Sequence, residues 1–248
     1  MQVKCFFSFS LLILLSVSVI ALQMQCLKSR DITVYIDYQG EQKKMKTALA
    51  IQKLSPSLGF DGIMADWTFL NFIQYFGDEK ARLETGYHLI PDYFEMISQK
   101  DPRFVRAFLI LSPSNSIYAG LPNKTIAFLN KALKQITPEI EPLAHYLWLY
   151  KGVDEMLFLG DLRAARHSFA MAAKWAKQAG EELTVQRAKE TIRFLETNPD
   201  TRKVKIAGWM LVLSNAQDSK TQKHALNKLK ELGAKVYVDP MGKVIIQS

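Results

Sequence analysis

The middle of the sequence repeats one pattern, in which an aromatic or aliphatic residue is followed three places later by a small or aliphatic one. The pattern recurs at intervals of 35 and 40 residues. A helix pair that recurs at about this period cannot bury its own apolar stripe, so neighbouring pairs must stack. The sequence therefore predicts a mainly α fold of stacked helix pairs. The repeated positions are Phe94 with Ile97, Leu129 with Ala132, and Phe169 with Ala172.

Composition shifts and turn residues divide the chain into four predicted parts. Residues 1–27 are a membrane anchor or signal segment, and residues 28–58 are a linker with a short strand at 31–37. Residues 59–198 form the helical-repeat domain, and residues 199–248 form C-terminal helices followed by a small β-hairpin. The hairpin is predicted because two apolar runs flank the turn sequence Asp-Pro-Met-Gly.

Two strands alone are marginally stable, so the hairpin needs a further partner. Val34 and Ile36, in the predicted N-terminal strand, offer an internal third strand. Packing on the last helix is the alternative. That helix, predicted at 219–232, is basic and amphipathic.

A resemblance to a known family rests on Gly160 and the residues after it. Gly160, then Ala165, Phe169 and Ala172, resemble the second half of a tetratricopeptide repeat, where these residue types fix close packing of two helices. The wider combination of "SLGFDGIMADW", "QYFGD", "DPRF" and "LGDLRAARHSF" covers roughly residues 57–178. It is similar to membrane-anchored bacterial, cyanobacterial-type, tetratricopeptide-like proteins. The resemblance implies an α-solenoid fold and carries no assigned activity.

The N-terminal segment is predicted to meet a membrane through residues 6–24, nineteen residues without a charge. At about 1.5 Å per residue, a helix of this length nearly matches a hydrocarbon core of about 30 Å. We expect a single-pass anchor with the domain on the exported, periplasmic or lumenal, side. A signal peptide cleaved after Ala21 is the alternative.

The net charge of +8 is concentrated at the two ends of the chain. Residues 1–60 carry +4, residues 61–198 carry −1 and residues 199–248 carry +5. A nucleic-acid partner is not expected, because such binders gather charge into a patch with interleaved aromatic residues.

Two acids in the first predicted repeat helix raise the possibility of chemistry. Asp61 and Asp66 are five positions apart, about 140° around a helix, so their carboxylates do not converge. Asp61 is predicted to be the helix N-cap. Asp66 is predicted to form a structural ion pair with Arg82, Arg103 or Arg106.

Other catalytic patterns are missing from the sequence. The four histidines have no metal-ligand spacing, and there is no nucleophile elbow, phosphate-binding loop or dinucleotide fingerprint. "LSPSNS", residues 111–116, is predicted to be a loop rather than a nucleophile site. We therefore expect no cofactor, no metal and no catalytic residue.

The sequence favours a membrane-anchored helical-repeat scaffold that binds another, membrane-associated, protein through its concave helix surface. The predicted contact residues are Trp67, Asn71, Gln74, Tyr146 and Tyr150. Two alternatives remain. One is an enzyme with an unrecognised site near Asp66 and His88. The other is a lipid-surface or nucleic-acid contact through the lysines of the C-terminal helix.

Overall fold

A computed structural model of the chain describes residues 14–25, 37–238 and 244–247. The chain divides into two compact units, Met1–Asp37 and Tyr38–Ser248. In the first unit, residues 14–25 form a helix, α1. Within the described ranges, no helix is both long enough and apolar enough to cross a membrane. The predicted strand at 31–37 lies outside the described residues except for its last position.

The second unit is mainly helical, as the repeat pattern predicts. Its helices are α2 (Tyr38–Leu54), α3 (Asp61–Gly77), α4 (Glu79–Thr85), α5 (Ile90–Lys100), α6 (Val105–Pro113), α7 (Pro122–Ala132), α8 (His145–Asp154), α9 (Leu162–Gln178), α10 (Glu182–Glu196), α11 (Thr201–Asn215) and α12 (Ser219–Glu231). Two π-helical turns, π1 (Ser114–Tyr118) and π2 (Glu155–Leu159), continue α6 and α8, and a 3₁₀ turn at Pro142–Ala144 precedes α8. Two short strands follow, β1 (Lys235–Val238) and β2 (Val244–Gln247).

Successive helices pack against one another along the chain. Helix α3 packs on α5, α5 on α7, α7 on α8, α8 on α9 and α9 on α10. Helix α11 packs on π2 and on α12. The repeated apolar positions lie on α5, α7 and α9, and all six side chains are buried. Each of these helices thus buries its stripe against its neighbours rather than alone.

Aspartates set the starts of several helices. The carboxylates of Asp78, Asp161, Asp200 and Asp218 accept hydrogen bonds from free amides in the first turns of α4, α9, α11 and α12. Each such cap is worth about 1 kcal/mol, because it satisfies a donor that the helix itself leaves free. These caps fix the residue at which each of the four helices begins.

The core of this unit has one large cluster and two smaller ones. The large cluster runs from α2 to α9 and includes Phe72, Phe94 and Phe108, none of which is exposed. A second cluster joins π2, α11 and α12 around Trp209 and Val212. Residues 199–248 therefore belong to the same compact unit as the helices of residues 59–198.

Two segments contain more helix than the sequence predicts. The predicted linker, residues 28–58, contains the seventeen-residue helix α2. The predicted loop at residues 111–116 is helical, because α6 runs through Pro113 and π1 begins at Ser114.

The two strands pair antiparallel where the sequence predicts strands. Lys235 lies opposite Gln247, and Val238 lies opposite Val244. Strand β1 lies beside α12. The connecting residues 239–243 and the predicted third strand at Val34 and Ile36 lie outside the described residues.

Candidate protein-binding surface

Helix α3 has one buried face and one exposed apolar face. Its buried face packs into the large core cluster through Phe72 and Tyr75. On the opposite face, large apolar side chains recur every three or four positions, which places them in one stripe along the helix. We call this set the α3 stripe, and it consists of Phe60, Ile63, Trp67, Leu70 and Ile73.

The α3 stripe is uncovered within the described part of the chain. Trp67 is 61% exposed, and every other member of the stripe is more than two-fifths exposed. The last residue of α2, Leu54, and Leu58 in the connection before α3 are also exposed, to 87% and 83%. Isolated exposed apolar residues are ordinary, but a run of this size marks an interaction surface.

Leu58 holds a strained backbone conformation beside the stripe. Its φ is +49°, in the left-handed region that costs an L-residue roughly 1–2 kcal/mol. No burial of its side chain offsets this cost, because Leu58 is almost fully exposed. Strain without a compensating contact is a feature of binding sites more than of structural turns.

The five predicted contact residues fall in three places. Trp67 lies in the α3 stripe. Asn71 and Gln74 line a separate groove of ≈ 350 Å³ between α2, α3 and α4. Tyr146 and Tyr150 lie on α8, which packs chiefly on α9, α7 and α6.

Both α8 tyrosines are half-buried. Burial, with a smaller contribution from Tyr146, raises the pKa of Tyr150. Tyr150 packs against the large core cluster, and the Tyr146 ring lies tilted by 37° against the His145 ring, with centroids 4.2 Å apart. Both rings thus take part in the packing of α8.

The two acids of α3 do not play the predicted parts. Phe60, not Asp61, is the N-cap, and no side chain caps this helix. The Asp61 carboxylate lies 3.5 Å from the Lys100 ammonium, and a hydrogen bond from Ser57, followed by Lys100, lowers its pKa. Asp66 is exposed and has no ion pair with any described residue. Asp66 lies beside the exposed α3 stripe, where water solvates its carboxylate, so the predicted ion pair is not needed.

The residues that carry the family resemblance sit at a helix junction. Gly160 ends π2 in the left-handed conformation, with φ +67°. Ala165, Phe169 and Ala172 are buried on α9. Ala165 and Phe169 share a buried cluster with side chains of α8 and α10, the two helices on which α9 chiefly packs.

A buried polar network lies where the sequence analysis had named no site. The Asp154 carboxylate accepts a hydrogen bond from Ser116 Oγ at 2.5 Å, and Ser116 Oγ lies 2.8 Å from Thr125 Oγ1. Burial raises the pKa of Asp154 to about 7, although the Ser116 bond opposes the shift. The network joins π1 to α8, and none of the described cavities opens onto it.

A second buried polar group follows immediately along the chain. Lys151 Nζ lies 2.9 Å from Glu155 Oε1, and Ser168 Oγ donates to Glu155 Oε2 at 2.6 Å. All three side chains are buried between α8 and α9. The only sequence signal for either group is that "SNS" and "DEM" stand about one repeat apart.

The described residues offer no arrangement for the predicted alternative chemistry at Asp66 and His88. Asp66 is exposed on α3, whereas the His88 imidazole lies 3.5 Å from Asp218 at the start of α12. No group of three or more His, Cys, Asp or Glu side chains within these ranges could hold a metal ion.

Comparison of the chain with protein-family models, with curated proteins and with solved structures finds no match. The tetratricopeptide-like assignment and the cyanobacterial-type origin therefore remain predictions from the residues that carry the resemblance.

Proposed function

We propose that this protein is a helical-repeat scaffold that binds another protein through the α3 stripe. The observation that carries the proposal is the uncovered apolar face of a helix whose opposite face is fully packed. Members of the stripe at positions 60, 63, 67 and 70 have the three- and four-residue spacing with which one helix packs along another. The partner segment is therefore an amphipathic helix that lays its apolar face on α3.

Charge specifies the partner further. Helix α3 contains Asp61 and Asp66 and no basic residue. Lys100 compensates Asp61, whereas Asp66 has no counter-ion among the described residues and borders the stripe. A partner helix with Lys or Arg beside its apolar stripe would complement this surface.

The same charge disfavours a lipid bilayer as the occupant of the stripe. Peripheral membrane helices carry lysine and arginine on the polar side, because anionic headgroups attract them. The only charged residues of helix α3 are the acids Asp61 and Asp66. Residues 6–24 remain the proposed contact with a membrane, and they would hold the scaffold beside a membrane-associated partner.

Site-specific crosslinking in the native host tests the proposal. A benzophenone amino acid replaces Trp67 in the stripe, and a matched control replaces Phe194, an aromatic residue on α10 that is also exposed. We expect one dominant adduct at position 67 and not at position 194. Mass spectrometry of the adduct should place the crosslink on an amphipathic helix with basic residues flanking its apolar side.

Charge reversal provides the second arm. Asp66→Lys should reduce the adduct at position 67 severalfold, because it places a positive charge opposite the partner's basic residues. Glu196→Lys makes the same charge change on α10 and should leave the adduct unchanged. The proposal fails if position 67 labels lipid or a second copy of this chain, or if both reversals act equally.

A further inference from the structure

A cleft of ≈ 780 Å³ opens between α5, α7 and α12. It shares no residue with the α3 stripe. Helix α7 lines it with one face, which includes Lys124 and Phe128, and α12 lines it with Lys220, Lys223 and His224. The cleft is therefore a groove between two helix faces that no described element fills.

Close packing behind the cleft holds its walls in place. A Cβ on Gly120, just before α7, would lie 3.3 Å from Val212 Cγ1 and 3.6 Å from His224 Cδ2. Gly120 thus lets the start of α7 approach α11 and α12. The His224 ring also packs edge-to-face on Trp209, with centroids 5.2 Å apart.

The charged residues of the cleft leave an excess of positive charge. Lys124, Lys220 and Lys223 form no ion pair with a described acid, whereas Lys228, outside the cleft, pairs with Glu231 at 2.7 Å. Both walls therefore present ammonium groups whose charge is not compensated by the protein.

The acids and histidines of the cleft do not cancel this charge. Asp92 and Glu95, on the α5 side, share Lys53 as their one counter-ion, with Nζ at 3.4 and 2.5 Å, so together they leave a single negative charge against the three lysines. Burial lowers the pKa of His88 and of His224, so the imidazoles are largely neutral at pH 7. The three lysines thus make the electrostatic potential in the groove positive.

We infer that the cleft binds an extended acidic polypeptide segment, one that carries Asp or Glu side chains together with an apolar side chain. Lysines on two walls can contact carboxylates on both sides of one extended chain. Leu121 and Phe128 supply apolar lining for a side chain between them. The site does not depend on the function proposed for the α3 stripe.

A polypeptide fits the cleft better than a nucleic acid does. A phosphate backbone carries a negative charge at every step. Along this groove it would pass Asp92 and Glu95, whose carboxylates repel it. A peptide can place an amide donor or a basic side chain at that end and its acids at the lysine end.

Fluorescence anisotropy with the full chain in non-ionic detergent tests the inference. The probe is a short labelled peptide rich in Glu and containing Leu. We expect saturable binding that weakens with added salt. Lys124→Glu with Lys223→Glu should weaken it at least about tenfold, because both walls then repel the probe. The neutralising pair Lys124→Gln with Lys223→Gln should give an intermediate loss.

A matched control makes the same charge change outside the cleft. Lys131→Glu with Lys230→Glu alters exposed lysines on the same two helices and should weaken the probe less than about twofold. An equal loss in both reversal pairs overturns the inference, as does an absence of saturable binding. Tighter binding of a single-stranded oligonucleotide or an anionic vesicle, lost in the cleft variant, also overturns it.

Discussion

Gly86 lies directly against the side chain of Asp218. A Cβ on Gly86 would stand 2.5 Å from Asp218 Cγ, closer than side-chain atoms can approach. Asp218 Oδ1 also accepts hydrogen bonds from the backbone amides of Lys220 and Thr221, so the same carboxylate caps α12. The Gly86 carbonyl in turn accepts a bond from Arg82 Nη1 at 2.8 Å. The contact between Gly86 and Asp218 joins the start of α12 to the connection between α4 and α5. These two segments are far apart in the sequence.

The first prediction is that Gly86→Ala strongly destabilises the protein. The substitution forces Asp218 away from its capping position and adds strain at φ +66°. We expect the free energy of unfolding in urea to fall by about 3 kcal/mol. Gly180→Ala is the control, because Gly180 also has a positive φ but nothing lies within 4 Å of the added Cβ. Its loss should be only about 1 kcal/mol, and equal losses would contradict the proposed contact.

The second prediction concerns the pH dependence of stability through Asp154. Burial raises the pKa of this carboxyl from 3.8 to about 7. Between these values the unfolded chain loses its proton while the folded chain keeps it, so the free energy of unfolding falls as pH rises. The slope from this group is about 1.4 kcal/mol per pH unit at most. Asp154→Asn removes this titrating group. The free energy of unfolding, measured with urea between pH 4.5 and 8, should therefore depend less on pH in this variant.

A second variant tests the cause of that slope. The Ser116 hydrogen bond lowers the Asp154 pKa against the effect of burial. Ser116→Ala should therefore move the falling part of the profile to higher pH. If Asp154→Asn keeps the slope of the unmodified protein, then Asp154 is not the group responsible.

The third prediction concerns the buried ion pair of Lys151 and Glu155. Lys151→Met leaves a buried carboxylate without its counter-charge and should cost about 3–5 kcal/mol. Adding Glu155→Met removes the stranded charge, so the double variant should be more stable than Lys151→Met alone. Urea unfolding of the wild type, both single variants and the double variant completes the cycle. Strictly additive losses would show that the two side chains are energetically independent.

The sequence predicts the helices with a regular apolar period well. The predicted helix at 219–232 is α12, Ser219–Glu231, and its stripe residues Ala225 and Leu229 are buried. A stripe of this kind is local information, because residues three and four apart share a helix face.

Helix α2 has only a weak sequence signal for the opposite reason. Leu49 is its one buried residue, and lysines follow the glycine in its first turn. With so little apolar periodicity, the segment resembles a linker. Its helical state depends on tertiary contacts, including those of Lys53 with Asp92 and Glu95 on α5.

The candidate surface was predicted only in part, because exposure is a property of the whole fold. Trp67, one of the predicted contact residues, is exposed, but the sequence pattern does not single out Ile63, Leu70 and Ile73, which are exposed with it. Thr68 and Phe72 of the same helix are buried, so α3 has apolar residues on both faces. When both faces are apolar, periodicity cannot tell which one packs.

The last prediction tests the contact between α11 and π2. A Cβ on Gly208 would lie 2.6 Å from the Leu157 carbonyl oxygen, and backbone cannot move aside as a flexible side chain can. Gly208→Ala should therefore separate the two elements and lower the free energy of unfolding by about 2 kcal/mol or more.

The same substitution should change tryptophan fluorescence. Trp209 packs on Phe158 of π2 with ring centroids 5.5 Å apart, and a displaced α11 would expose the indole and shift its emission to the red. Gly62→Ala is the control, because Gly62 lies on α3 with no atom within 4 Å of an added Cβ. Alanine favours a helix over glycine by up to about 1 kcal/mol, so that variant should be slightly more stable with unchanged emission. A Gly208→Ala protein with the same stability and emission as the wild type would mean that α11 does not pack on π2 this closely.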